Sequence, residues 1–489
     1  MINDSIQEYL FIRFWITFLH HIAPVSIVYW TVILLWKPDS YRLPWFVEYW
    51  CLAESLFYLC VYTPRWYLLQ QPAIHPTTLS RDERQKLFQL SLEFVSDAEQ
   101  YLSKWFKHAP MAQIKRENVK DFFCWAFLNK SCYDADEGEE LDEYVDQLDK
   151  RFDRRIEPGR GSATCLRLTL DTVDMLHRSL TWYVCVFVVD SLTSFRLRYY
   201  SFHFHCLQYS RLLTLFPPRL LAICSPYVSP AKTLSYWYRP HTSRSRLPVL
   251  FIHGIGIGLY PYVNFLKELK QDLDGPDGEV GIIAIEIMPI SFRMTHEALG
   301  KAAMCSEVLA ILKKHGWEKV VLVSHSYGSI ISTHLLRTPE TASRIGPLVL
   351  IDPVSFLLYV PDVAYNFTSR QPERASEWQL WYFASKDPGV AHTLARKFFW
   401  AENILWKHDL EGRLVTVVLC GRDIITDTKA VARYLTGESE IGIRDWKTKD
   451  WKGVDLDILW FQGLNHAQVF DRKEDRDHLT KAVRTYCGS

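Results

Sequence analysis

Val320-Val321-Leu322-Val323-Ser324-His325-Ser326-Tyr327-Gly328 is the stretch that decides the fold. Four apolar residues of a buried strand run into a serine-bearing turn, and a helix-forming segment, residues 329–337, follows at once. Strand, sharp turn with serine at its tip, then helix is the geometry of a nucleophile elbow. Such a turn exposes the serine oxygen and aims the N-terminus of the helix at it. The usual pattern is G-x-S-x-G. Here Ser324 stands at the first glycine position, a small residue that still fits where backbones come close.

The other pieces that a serine nucleophile needs are present on either side of this stretch. Residues 247–252 read as a buried strand that runs into His253-Gly254-Ile255-Gly256-Ile257-Gly258. Backbone N–H groups held in a fixed turn stabilise a developing oxyanion, and glycines let that backbone approach a substrate. Tyr327 and the Ile255–Gly256 turn are the expected donors. A dinucleotide-binding loop is disfavoured, because Tyr260-Pro261 follows and suits a helix start. Downstream, residues 413–419 form a β-branched strand candidate that ends in Gly421-Arg422-Asp423. Another, residues 456–461, is followed by Gly463-Leu464-Asn465-His466. A residue just past the C-terminal end of a strand is where open α/β sheets place working groups. Asp352, after the apolar run 348–351, is the alternative acid, while Asp427 suits a helix cap. His334, His392, His408 and His478 compete with His466, but only His466 follows a strand and a turn.

Ser326, Asp423 and His466 therefore occur in the chain order of an α/β-hydrolase. From about residue 235 to 489 the chain resembles the α/β-hydrolase fold superfamily, of the esterase and lipase type. His253-Gly254, Ser324 to Gly328, Gly421-Arg422-Asp423 and Asn465-His466 carry the resemblance. With its hydrophobic start the whole chain also resembles, more loosely, membrane-associated hydrolases found in fungi. The resemblance implies a mostly parallel sheet flanked by helices. It also implies a Ser-His-Asp site forming an acyl-enzyme, with neither cofactor nor metal. An acyltransferase with the same triad and a silent hydrolase-fold scaffold are the rival readings. The elbow residue is a serine and not a carboxylate, which disfavours epoxide hydrolase and dehalogenase chemistry.

Residues 355–409 lie between two sheet strands, too long for a plain connection and rich in Trp, Tyr and Phe. An inserted helical cap lining an apolar acyl pocket is expected there, and an apolar ester is the expected substrate. Residues 14–36 hold no charged side chain and are long enough to span a bilayer. Residues 45–70 are also apolar but carry Glu48 and Glu54, which fits an amphipathic or re-entrant helix better. Residues 1–72 are thus expected to anchor the chain in a lipid bilayer, by one span or a hairpin. Residues 73–232 should be helical, with the run 180–189 in a core, and residues 233–489 catalytic. Lys37, Arg42 and Arg65 follow the first span and point to a cytosolic catalytic domain. The eleven cysteines have no framework spacing, which suits reduced thiols. His203-Phe204-His205-Cys206 lacks a second ligand pair at metal spacing. The net charge of zero, with no large basic cluster, excludes an obvious nucleic-acid binder.

Overall fold

The computed structural model describes residues 1–36, 42–95, 97–153, 155–223, 225–437, 451–453 and 455–488. Lys37, used above for orientation, lies outside them.

The strands are β1 (His203–Cys206), β2 (Tyr227–Val228), β3 (Ser235–Arg239), β4 (Val249–Ile252), β5 (Asp274–Gly275), β6 (Gly278–Glu279), β7 (Ile282–Glu286), β8 (Val320–His325), β9 (Ile345–Ile351), β10 (Val415–Cys420) and β11 (Leu456–Phe461). Nine form one sheet in the order β11-β10-β9-β8-β4-β7-β3-β1-β2, and β5 with β6 make a separate hairpin. Within the large sheet β3 pairs antiparallel with β7 and β1, and the other pairings are parallel. Central strands such as Val320–His325 and Val415–Cys420 are buried along their whole length. Their apolar runs are the signature of a parallel sheet covered on both faces. Alternate residues feed two cores: Leu250, Leu322 and Leu350 on one side, Phe251, Val323 and Ile351 on the other. Helices Lys301–Lys314 and Gly328–Leu336 cover the first face, and Val263–Asp272 and Lys473–Cys487 the second. Between β9 and β10 lies a helical insertion that includes Asp362–Thr368, Ala375–Gln379 and Pro388–Arg396.

Before the sheet come α1 (Ile6–Trp36), α2 (Trp45–Phe57), α3 (Thr63–Leu69), α4 (Arg81–Glu93), α5 (Ala98–Trp105), α6 (Arg116–Phe123), α7 (Ala135–Phe152) and α8 (Leu180–Tyr199). Ser80 caps α4 and Asp134 caps α7, each in a reciprocal box with a glutamate. Phe88, Phe123, Trp125, Tyr144 and Leu148 build a core of their own there.

Several expectations change. Residues 73–232 are not wholly helical, since they supply β1 and β2 to the outer edge of the sheet. Such short strands carry too few residues to show a period. The run 180–189 belongs to a twenty-residue helix, α8, with one face buried and the other exposed. α1 begins eight residues before the expected span. Residues 45–69 form one unbroken helical path through a π-helical turn at Tyr58–Tyr62. Glu54 does not break it: its carboxylate is buried and accepts the N–H groups of Leu180 and Thr181, both at 2.7 Å, so it caps α8.

Candidate active site

Five candidate side chains sit just past the C-terminal end of a sheet strand: His253 after β4, Ser326 after β8, Asp352 after β9, Asp423 after β10 and His466 after β11, whereas His334, His392, His408 and His478 lie on helical segments. Ser326 adopts φ +51°, the strained left-handed conformation of an elbow. The turn is held from several sides. The Ser326 N–H donates to the Ile351 carbonyl at 2.9 Å. The Ser329 hydroxyl donates to the Ser326 carbonyl at 2.7 Å and accepts the N–H groups of Val354 and Ser355. Two glycines are sterically required. A Cβ on Gly328 would lie 2.5 Å from the Ile252 carbonyl oxygen, and one on Gly254 would lie 2.7 Å from the Ser326 Cβ. Ser324 replaces the first glycine of the pattern without cost in polar satisfaction, because its buried hydroxyl accepts a hydrogen bond from Ser332 Oγ at 2.8 Å.

The structure brings Ser326, His466 and Asp423 together. His466 Nε2 is 2.9 Å from Ser326 Oγ, and His466 Nδ1 is 2.7 Å from Asp423 Oδ2. A carboxylate can only accept, so Nδ1 carries the proton and the Nε2 lone pair faces the serine hydroxyl. Asp423 is fixed by the N–H groups of Ile425 at 2.7 Å and Thr426 at 3.1 Å. Asn465 joins the two loops, accepting from Ile424 N–H and from His466 N–H. Burial disfavours a charged His466, but Asp423 and then Asp352 outweigh it, and its pKa is raised above the ordinary histidine value.

Asp352, the alternative acid, is not at the Nδ1 position. Its two oxygens accept the Cys420 N–H at 3.1 Å and the Ala467 N–H at 2.8 Å. Burial, partly offset by His466, raises its pKa to about 6. It anchors the residue after His466 and adds negative field beneath the imidazole. Asp352, Asp423 and His466 bring ligand-type atoms within 4.8 Å of one another, a spacing a metal ion could use, but each is engaged in the hydrogen bonds above. His334 faces Asn403, 2.8 Å away. In β1, His205 bonds the Tyr236 hydroxyl at 3.0 Å and stacks on its ring.

The expected oxyanion donors divide. The Gly256 N–H is already given to the Ile290 carbonyl at 3.2 Å, which removes it from the candidate set. Among the described residues, no acceptor serves the N–H of Tyr327 or of Ile255, and both residues line the cavity that contains Ser326. His253 shapes this turn. Its Nδ1–H donates to the Gly254 carbonyl at 2.7 Å, and its Nε2 accepts the Ile287 N–H at 2.9 Å. Sequence reasoning missed three supports: Ser329, Gln468, whose side chain accepts the Asn465 N–H, and Tyr262. The Tyr262 hydroxyl accepts the Gly254 N–H and bonds His325 Nδ1 at 2.8 Å. The distant contacts, Tyr262 with His325 and Ser329 with Val354 and Ser355, leave no local pattern in the sequence.

The cavity at Ser326 measures about 60 Å³ and is almost wholly apolar. Leu358, Phe367 and Trp400 come from the insertion, but Trp105 and Trp125 come from the N-terminal helices, so the insertion alone does not close it. A larger cleft of about 920 Å³, of mixed polar and apolar lining, shares Leu168, Thr368 and Leu394 with it.

Residues 248–403 match the family described as alpha/beta hydrolase fold. No curated protein matches the chain. Solved structures that it resembles include a membrane phospholipase A, a bacterial virulence factor, at 13% identity, covering 63% of this chain and 94% of that one, TM-score 0.39. Others are a carboxylesterase structure from the thaumarchaeon Nitrososphaera gargenis (16% identity, 52% and 96% covered, TM-score 0.33) and naproxen esterase from Bacillus subtilis (12% identity, 53% and 89% covered, TM-score 0.33). Likenesses this remote carry nothing beyond the fold. With its strand order, its elbow and the family match over residues 248–403, this chain has the α/β-hydrolase fold.

Proposed function

We propose that the protein is a membrane-associated serine hydrolase that cleaves an apolar carboxylic ester. The observation that carries this reading is the preformed relay from Asp423 through His466 to the strained Ser326. A free serine hydroxyl is a poor nucleophile until a base contacts it. His466 takes the Ser326 proton as Oγ attacks the ester carbonyl, then returns it to the leaving alcohol. Asp423 holds the tautomer and stabilises the imidazolium. The N–H groups of Tyr327 and Ile255 receive the oxyanion. Water then attacks the acyl carbonyl as His466 takes its proton, and His466 returns that proton to Ser326 Oγ as the acid leaves.

The aromatic cavity favours an apolar acyl group, and the adjoining cleft of mixed lining suits the leaving alcohol. Two helices long and apolar enough to cross a membrane support the membrane association. The ten described cysteines, all unpaired, favour a cytosolic catalytic domain.

Labelling of detergent-solubilised full-length protein by a fluorophosphonate probe, with and without Ser326→Ala, tests the chemistry. Labelling and p-nitrophenyl ester turnover that both vanish in the variant are expected. A well-folded parent chain that neither labels nor turns over ester would reject the serine mechanism and favour a silent scaffold. Added alcohols that divert the acyl group from water would reassign the protein as an acyltransferase.

A further inference from the structure

We infer that the chain is seated in one leaflet of a lipid bilayer by the outward faces of α1, α2 and α8, with no helix crossing the membrane. This deepens the membrane-association reading and is independent of the serine chemistry.

α1 is held along one side. Of its buried residues, Ile12, Ile16, Leu19, Ala23 and Ser26 recur at intervals of three and four, one face of a helix, and Ile33 follows seven residues on. Ile12, Ile16 and Leu19 belong to the same core as the sheet. Asp4 accepts the Ser376 N–H at 2.9 Å, the Arg13 guanidinium lies 3.8 Å from the Trp378 ring centre, and the His20 carbonyl bonds His177 at 2.8 Å. From Ile6 to Ser26 the helix therefore lies along the catalytic body. At 1.5 Å per residue that is about 30 Å, the whole thickness of a bilayer's hydrocarbon. The remaining ten residues to Trp36 are too few to cross.

α8 is fastened in the same way at its midpoint. Asp190 is 3.0 Å from both Arg219 and Arg293, and Arg219 continues to Glu286 on β7 at 2.5 Å. A spanning helix cannot keep its centre ion-paired to a sheet strand. Its opposite face shows Val184, Val188, Leu192, Phe195 and Tyr199 to the outside, at intervals of four, four, three and four.

The outward faces are apolar while the charges turn inward. α1 exposes Phe14, Trp15, Phe18, Val25, Val28 and Leu35, and α2 exposes Trp45, Phe46, Tyr49 and Trp50. Glu54 caps α8, and Arg65 donates to the Thr295 carbonyl. These three helices touch one another, and Trp50 donates its indole N–H to Thr181 at the start of α8. Tryptophan and tyrosine suit the lipid–water interface. Arg198, exposed beside Phe195 and Tyr199, places a cation where anionic headgroups lie. Amphipathic helices lying in the interface plane are built this way.

Flotation of full-length protein with phosphatidylcholine–phosphatidylserine vesicles tests the seat, using the parent and a Val188→Glu, Phe195→Glu double variant. The parent should float, and the variant should float at least about tenfold less while still labelling with fluorophosphonate in detergent. In sealed vesicles an impermeant maleimide should reach position 7 of a Gln7→Cys chain and the exposed native Cys132 from the same side. A variant that floats like the parent, with position 7 protected where Cys132 is labelled, would overturn the one-leaflet seat and restore a span. A parent that stays unbound and elutes as a dimer would overturn it too and assign the face to a second copy.

Discussion

The two carboxylates beside His466 separate by what they touch. Asp423 contacts Nδ1, so Asp423→Asn turns an acceptor into a mixed group and permits the wrong tautomer. We expect kcat to fall by about 10⁴. Asp352→Asn leaves that contact intact and loses far less activity, but it weakens one of two backbone hydrogen bonds and costs about 2 kcal/mol of stability in denaturant titration. Only neutral His466 can accept the serine proton, so kcat/KM should rise with pH through an inflection above the ordinary histidine value. Removing the Asp352 charge withdraws one of the influences that raise this pKa, so the inflection should move to lower pH. A pH profile of both enzymes measures the shift, and an unmoved inflection would deny Asp352 its electrostatic part. Ser326, Asp423 and His466 were legible in the sequence because each ends an apolar strand in a recognisable turn. The engagement of Gly256 by Ile290 was not, since it depends on a loop thirty-four residues away.

Elements position these residues through close backbone approach, which makes their glycines unequal. Gly254→Ala would place a Cβ 2.8 Å from His325 Nδ1 as well as against Ser326, whereas a Cβ on Gly256 meets nothing within 4 Å. The first substitution should cost about 1–3 kcal/mol of stability with most of the activity, and the second should leave both nearly unchanged. Thermal melts with probe labelling would distinguish them. The cavity of about 60 Å³ holds a short acyl group. Phe367→Ala opens its wall, so the hexanoate-to-butyrate ratio of kcat/KM for p-nitrophenyl esters should rise by about tenfold. A fall in both esters without a change of ratio would place Phe367 in folding and not in chain-length selection. Aromatic density marked the insertion in the sequence. The sharing of its pocket with Trp105 and Trp125 was hidden, because residues more than two hundred positions apart give no periodic signal.

Across the whole molecule the N-terminal residues are structural partners of the hydrolase sheet. β1 covers the edge of β3, and without it a row of unpaired N–H and C=O groups would be bare. Arg219 neutralises Glu286, which is buried on β7 and would be left as an uncompensated charge, at about 3–5 kcal/mol. Ile12, Ile16, Leu19, Trp182 and Val186 complete one face of the sheet's core, and their loss would expose that face to water. These three deficits are each comparable to a large fraction of the net stability of a domain. A chain beginning at Thr233 should therefore aggregate or elute in the void volume, although it holds every residue of the proposed relay. The full chain in detergent should elute as one species that labels with fluorophosphonate. A soluble, monomeric fragment from Thr233 that also labels would mean that the sheet closes without β1, Arg219 and α1, and that the N-terminal residues serve membrane attachment alone.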